Sequence, residues 1–406
     1  MTQSINRRIA GNFRQTGLPI SVQGATGGGF DSAEVNDIVI NSDYLNNENL
    51  IINGGMSVCQ RDSSETGVAG TDYFTIDRWR YAVSTDAVVT LTKSQDVPAS
   101  EGFNSSFKVD VTTADTSIGA DQIAHIQTSV EAQDLQHLAY GTSSAKTLTC
   151  SFWVKSNKTG TYCFSLNKND ADGSLTSYTF VKEYTISSAD TWEKKIITIE
   201  PDSQIKSAAA EIQDDNGLGF RVMWSLAEGS NRNTATDNTW TSSSGITATS
   251  NQVNFLDNTA NDFYITGCQL EVGSKATPFK HKSFAEELRR CQRYFYLIDA
   301  TSSEGDENAP LVRESATQGQ ITCYLPTNMR ATPTIEGSNY GRIVGYGTGF
   351  GGAGTATVSN MTVRTNINEG QKIDINITNG SLAGTYVHCH HDRNATAGKL
   401  GFDAEL

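Results

Sequence analysis

A few side chains stand out by type and spacing. The run His388-Cys389-His390-His391 sets imidazoles two residues apart, and alternate residues of a strand project to the same face. At the axis of a trimer, His388 and His390 would together build an octahedral cage for a divalent transition metal. The competing reading is a pair of solvated histidines at a strand end. Two tryptophans carry a different chemistry, since an indole face stacks on sugar C–H groups while Asn, Asp and Gln bond the hydroxyls. Trp153 has parity opposite to Leu148, Cys150, Phe152 and Val154 and is expected on the open side of its strand. Trp240, in the polar stretch 231–250, is the best loop aromatic, whereas Trp79 in Phe74-Thr-Ile-Asp-Arg-Trp is expected to pack. Core or inter-subunit packing competes for each.

Catalysis finds little support in the same residues. Polysaccharide hydrolysis needs two carboxylates roughly 5–10 Å apart, and the closest acidic pair in a loop, Asp170 and Asp172, lies in Asn169-Asp-Ala-Asp-Gly. Those are the residues a turn favours. No nucleophile–base signature, metalloprotease helix or phosphate loop occurs, and the glycine cluster 345–354 lacks the Lys-Ser/Thr such a loop requires. The expectation is a protein without catalytic residues.

The elements that must position these residues are strands. The chain has 406 residues, 19% charged and 37% hydrophobic, and a formal net charge of −14. That length suits two or three domains. Its Thr, Ser, Asn and Gly content suits short strands joined by polar turns. With no basic stripe it is not expected to track phosphates. No apolar run reaches signal-peptide or membrane-span length, so production in a cytoplasm without membrane insertion is expected. The seven cysteines form no C-x-x-C pair, and most are expected as reduced core residues.

Alternating patterns predict strands at Leu50–Val58, Tyr73–Tyr81, Ala87–Thr92, Phe107–Val111, Thr147–Lys155, Gly160–Leu166, Lys194–Ile199, Gly219–Leu226 and Asp262–Val272. That spacing implies a two-sheet sandwich or jelly roll. Ser283 with Glu286 reads as a capping box, and Phe284, Leu288, Cys291, Phe295 and Ile298 follow at 4-3-4-3 spacing. A helix over 283–298 is predicted, packed either on its own domain or against copies of itself. Further strands are expected at Gln320–Leu325, Arg342–Tyr346, Ala356–Thr365, Lys372–Ile377 and Thr385–His390. The organisation is therefore all-β: an extended, Gly-rich arm over 1–45, a jelly-roll β-sandwich over 46–280, a linker helix over 281–300 and a smaller C-terminal β domain over 301–406.

The segment Asn49-Leu-Ile-Ile-Asn-Gly-Gly-Met-Ser-Val-Cys-Gln-Arg, with Asp77-Arg-Trp, resembles the opening of jelly-roll modules in tail-fibre-like proteins of tailed bacteriophages. Later landmarks follow in order: Leu148-Thr-Cys-Ser-Phe-Trp-Val-Lys-Ser, Thr191-Trp192, Asn254-Phe with Asp257-Asn, and Phe263-Tyr-Ile-Thr-Gly-Cys-Gln-Leu-Glu-Val-Gly. Ser283-Phe-Ala-Glu-Glu-Leu-Arg-Arg-Cys-Gln-Arg-Tyr-Phe, Leu325-Pro-Thr-Asn-Met-Arg-Ala-Thr-Pro-Thr and Asp403-Ala-Glu-Leu complete the set. The resemblance implies a virion component with a carbohydrate-binding-type jelly roll, often trimeric, docked on other virion proteins through residues 1–45 and meeting host glycan or protein with its distal domain. His388 and His390 resemble the His-x-His sites of some phage fibre and spike tips. Such jelly rolls often hold calcium between an acidic residue after the first-strand Asn-Gly and another in the last strand. Here Asn53-Gly54 leads to Gly55-Met56, and Glu271 is left for a different site. The function implied is host attachment by glycan binding. A capsid-decorating or connector protein and a glycan-degrading tail spike are the alternatives.

Overall fold

The computed structural model describes residues 33–35, 38–40, 48–169, 175–299, 307–313, 318–336, 342–346, 354–357, 360–363, 372–378, 386–390 and 399–406. Side chains are described for 48–169, 175–297, 324–336 and 401–406. The expected arm over 1–45 lies outside the described residues except for one antiparallel pair, β1 (Ala33–Val35) and β2 (Ile38–Ile40).

Alternation of large apolar and polar residues builds two facing six-stranded sheets. Their strands are β3 (Ser64–Val68), β4 (Arg80–Val83), β5 (Val88–Ser94), β6 (Ser106–Thr113), β7 (Ile123–Glu131) and β8 (Leu148–Ser156). They continue with β9 (Gly160–Lys168), β10 (Tyr178–Ile186), β11 (Glu193–Ile199), β12 (Leu218–Glu228), β13 (Thr239–Thr241) and β14 (Asp262–Val272). One sheet runs β13-β10-β9-β12-β7-β4 and the other β11-β8-β14-β6-β5-β3, with every pairing antiparallel. Strands distant in sequence are neighbours, as in a jelly-roll β-sandwich. Phe152, Phe164, Trp79 and Trp224 meet in its centre with ring centroids 5.3–6.3 Å apart. Cys150 lies on that inner face with Leu148, Phe152 and Val154, all fully buried, as strand parity requires.

Two expected strands are replaced by turns. Within 50–58 the Asn53 amide donates to the carbonyls of Val58 (2.9 Å) and Asp77 (2.8 Å) and accepts from Val58 N (3.0 Å). With φ of 57° at Asn53 and 55° at Met56, the backbone turns on this buried side chain. Over 73–81 only Arg80 and Tyr81 enter a strand, because Arg78 has φ of 73°. Strands β3, β7, β10 and β13 carry weaker alternation and were not apparent from the sequence.

Helix α1 spans Phe284–Gln292, and the Ser283 hydroxyl caps it by accepting from Glu286 N at 3.2 Å. The expected helix to residue 298 is corrected: Phe295–Asp299 forms β15, so Phe295 and Ile298 do not extend a helical seam. Phe284 is 60% exposed and only Cys291 of the helix is buried. The remaining strands are β16 (Glu307–Arg313), β17 (Gln318–Tyr324), β18 (Thr334–Glu336), β19 (Arg342–Tyr346), β20 (Gly354–Thr357), β21 (Asn360–Val363), β22 (Lys372–Thr378), β23 (Tyr386–His390) and β24 (Lys399–Asp403). They form a three-stranded sheet, β15-β24-β18, and a seven-stranded one, β20-β19-β23-β16-β17-β22-β21. The single strand expected over 356–365 is two, β20 and β21.

Candidate functional site

Four of the quoted segments, those that hold Arg61 with Arg78, Tyr294 with Phe295, Arg330, and Asp403–Leu406, converge on one buried, charged seam between the sandwich and the sheet β15-β24-β18. Arg61 binds Asp403 at 2.6 Å and lies 3.7 Å from Glu405, and Arg78 pairs with Glu405. The Arg61 and Arg78 guanidiniums stack 3.5 and 3.4 Å from the centroids of Phe295 and Tyr294. Arg330 donates to the carbonyls of Ala404 (2.7 Å), Glu405 (3.0 Å) and Asn216 (2.9 Å). Arg293 forks onto Glu131 at 2.7 and 2.8 Å. The Arg78 guanidinium stays protonated, because Glu405 overcomes the desolvation that alone would lower it. With Asp403, Glu405 and Glu131 each facing an arginine, this seam is a structural joint.

A concave site lies elsewhere, at the β13 edge of the sandwich. A cleft of ≈ 440 Å³ is lined by Phe180, Thr198, Glu200, Pro201, Asp202, Asn238, Thr239 and Trp240. Its size falls within the usual range of small-ligand sites. Trp240 is not in a loop: it occupies β13, pairs with Phe180 and is 3% exposed. Its ring packs on Tyr140 and Phe180, and its Nε1 donates to the Glu200 carbonyl at 2.9 Å. The indole therefore forms the cleft floor and leaves no open face for stacking. Asp202 spends its carboxylate on the following turn, accepting from the backbone of Gln204 and Ile205 and from the Gln204 amide at 2.9–3.1 Å. Glu200 is exposed on the rim, beside Asn238, whose φ is 59°. No spacing in the sequence marked Glu200, Asp202 or Asn238, since β11 and β13 meet only in the fold.

Trp153 sits on the outer face of the other sheet, opposite Lys194 and Thr266, and is half-buried. The fold does not bring it to Trp240. The same face carries Trp192, whose Nε1 donates to Asp96 at 3.0 Å, and Tyr264, with Lys155 Nζ 4.2 Å from its ring centroid. Lys155 and Lys108 thus occupy the Tyr264 ring, and Lys155 also lies 5.7 Å from the Trp192 ring centroid. The Asn53-Gly54 turn is closed by Cys268 N donating to the Gly54 carbonyl at 2.9 Å. Glu271 is held by Thr277 N (2.8 Å), Thr277 Oγ1 (2.6 Å) and Gln269 Nε2 (2.9 Å). His388 and His390 lie on β23 between β16 and β19, and their side chains are outside the described ones. Asp170, Asp172 and residues 347–353 are likewise outside the described residues. Among the described residues, no three His, Cys, Asp or Glu side chains gather as metal ligands, and no helix is long and apolar enough to cross a membrane.

No protein-family model matches the chain, and no curated protein matches it. Among solved structures, the enzymatically active domain of tailspike protein 4 from bacteriophage CBA120 shares 13% identity at a TM-score of 0.28, over 55% of this chain and 21% of that one. The family 11 carbohydrate-binding module of Clostridium thermocellum, solved with a β-1,3-1,4-mixed-linked tetrasaccharide, shares 13% at 0.27, over 52% of this chain and 97% of that one. A sugar-binding protein from Bacteroides thetaiotaomicron, so described provisionally, shares 15% at 0.29, over 56% and 100%. The chain thus spans about a fifth of the length of that solved tailspike domain. Likeness of this degree assigns neither family nor ligand.

Proposed function

We propose that this chain is a non-enzymatic attachment protein of a tailed-phage virion, which holds host-surface glycan in the cleft beside Trp240. The cleft carries the reading: above a closed floor of Trp240 and Phe180, its rim sets a carboxylate, an amide and hydroxyls together, and convergent polar groups of this kind bond sugar hydroxyls. The virion assignment rests on the ordered resemblance from Asn49 to Thr334, with the last few residues. In this reading the protein assembles in the host cytoplasm as a trimer and docks through residues 1–45. Weak single-site contacts become firm attachment because several clefts engage one surface. The commitment of Asp202 to its turn supports binding over hydrolysis.

Screening the full chain against bacterial surface glycans tests this. Glu200→Gln and Asn238→Gly each remove one rim group, the glycine retaining the positive φ. Each should weaken binding about tenfold, as loss of one hydrogen bond implies, with the melting temperature unchanged. Absence of any glycan ligand, or equal affinity in both variants, would sink the cleft. Release of reducing ends would overturn the non-enzymatic reading.

A further inference from the structure

The outer face of the sheet β13-β10-β9-β12-β7-β4 holds two arginines without acids. Strand register sets Arg80 opposite Gln127 and Arg221 opposite Ser129, on either side of β7. The two Cα positions are thereby about 12 Å apart, close enough for the side chains to converge over β7. Every other arginine nearby is matched: Arg61 and Arg78 by Asp403 and Glu405, Arg293 by Glu131, Arg330 by three carbonyls. Among the described residues Arg80 and Arg221 have neither a salt bridge nor a hydrogen bond, although Arg80 leans on the Tyr73 ring at 5.9 Å. Burial and the neighbouring charge of Arg80 hold Arg221 below the usual guanidinium range. In a chain of net charge −14, two unmatched, half-buried cations are costly unless something else meets them.

The floor beneath them is also short of acceptors. Nε of both arginines, Gln127 Nε2, Ser129 Oγ and Ser165 Oγ are buried without a hydrogen-bond partner. Gln127, Ser129 and Ser165 are at most 3% exposed. Beside them His125 Nε2 lies 3.2 Å from the Gln127 side-chain amide, and its Nδ1 is 2.9 Å from Glu228. The terminal arginine nitrogens are not among the closed-off atoms and so reach the surface. Among the described residues no acid pairs with either guanidinium, Glu228 being held by His125, and paired guanidiniums beside neutral polar groups are suited to an oxyanion.

We propose that Arg80 and Arg221, above Gln127, Ser129 and Ser165, bind the oxyanion of an acidic surface polymer, whether a uronate carboxylate or a phosphodiester. The site is separate from the Trp240 cleft and does not depend on it. Affinity electrophoresis of the full chain in gels containing polygalacturonate, a glycerol-phosphate polymer or a neutral β-glucan reads it out. Wild type should be retarded by at least one acidic polymer, and which one identifies the oxyanion. Arg80→Gln and Arg221→Gln should each weaken that retardation about tenfold, and the pair should abolish it. Lys194→Gln removes an exposed charge on the opposite sheet and should change nothing. If no acidic polymer binds, or the double variant or Lys194→Gln behaves otherwise, the site is wrong. Binding of the neutral glucan in that case would leave the cleft reading standing. Should the double variant fail to fold, the single variants decide: each, with wild-type mobility in a polymer-free gel, should lose retardation by the acidic polymer, and undiminished retardation of both overturns the site.

Discussion

Glu131 and Glu336 flank the same seam and respond to pH with opposite sign. Burial alone would raise Glu131, but the two hydrogen bonds from Arg293 outweigh it and hold the carboxyl below its usual range. A depressed acid stabilises the fold above its unfolded pKa, roughly 4.3, and that contribution fades as pH falls through the folded value. Glu131→Gln should therefore lose about 3 kcal/mol at pH 7, since it strands Arg293, and the difference from wild type should shrink below pH 4. Burial, then the charge and hydrogen bond of Asp403, push Glu336 up to about 7. Here the folded state takes up the proton first, so stability rises as pH falls through 7 and repulsion persists above it. Glu336→Gln should relieve that repulsion, and melts from pH 6 to 8 should show wild type falling relative to the variant. The side chain is 45% exposed, so solvent screening keeps the effect small.

At the scale of elements, the strands with strict alternation were legible: β14 matches its expected bounds, and β8, β9, β11 and β12 differ by one or two residues at their ends. Helix α1 was legible at its capped start and not at its end. Phe295-Tyr-Leu-Ile-Asp continues a helical spacing, yet its aromatic and β-branched content equally suits a strand, and pairing with β24 from Phe295↔Asp403 to Asp299↔Lys399 decides the matter. No local pattern announces a partner a hundred residues away. The Asn53-Gly54 turn was misread for the same reason, because its geometry is set by Asp77 and Cys268. A Cβ built on Gly54 would stand 2.0 Å from the Cys268 carbonyl oxygen, backbone that cannot step aside. Gly54→Ala should therefore cost at least about 2 kcal/mol through overpacking, seen as a lower urea midpoint. Gly67, with open space around it but φ of 71°, should lose less on the same change.

Over the whole molecule, several segments far apart in sequence are adjacent in space: Arg61, Arg78, Tyr294, Arg330 and Asp403–Leu406 share one joint. Their spacing gave no hint of it, because ion pairs across more than 300 residues leave no periodicity. Their co-occurrence records a packing requirement, whereas the cleft beside Trp240 and the Arg80–Arg221 patch leave no mark in the motif order. The joint makes a prediction that separates charge pairing from packing. Removing Asp403–Leu406 leaves Arg78 buried without an acid and Arg61 with only Glu336 at 4.0 Å, and an uncompensated buried charge costs about 3–5 kcal/mol. The truncated chain should melt well below wild type and should be cut by protease near Tyr294, whose carbonyl loses its bond from Ala404 N. If charge stranding dominates, adding Arg78→Met to Glu405→Leu should recover much of the stability that Glu405→Leu loses alone, because a neutral pair of similar volume carries no desolvation cost. If the double variant melts no higher than the single one, the hydrogen bonds from Arg78 to Ser129 O and its stacking on Tyr294 hold the joint, and the pairing with Glu405 is secondary.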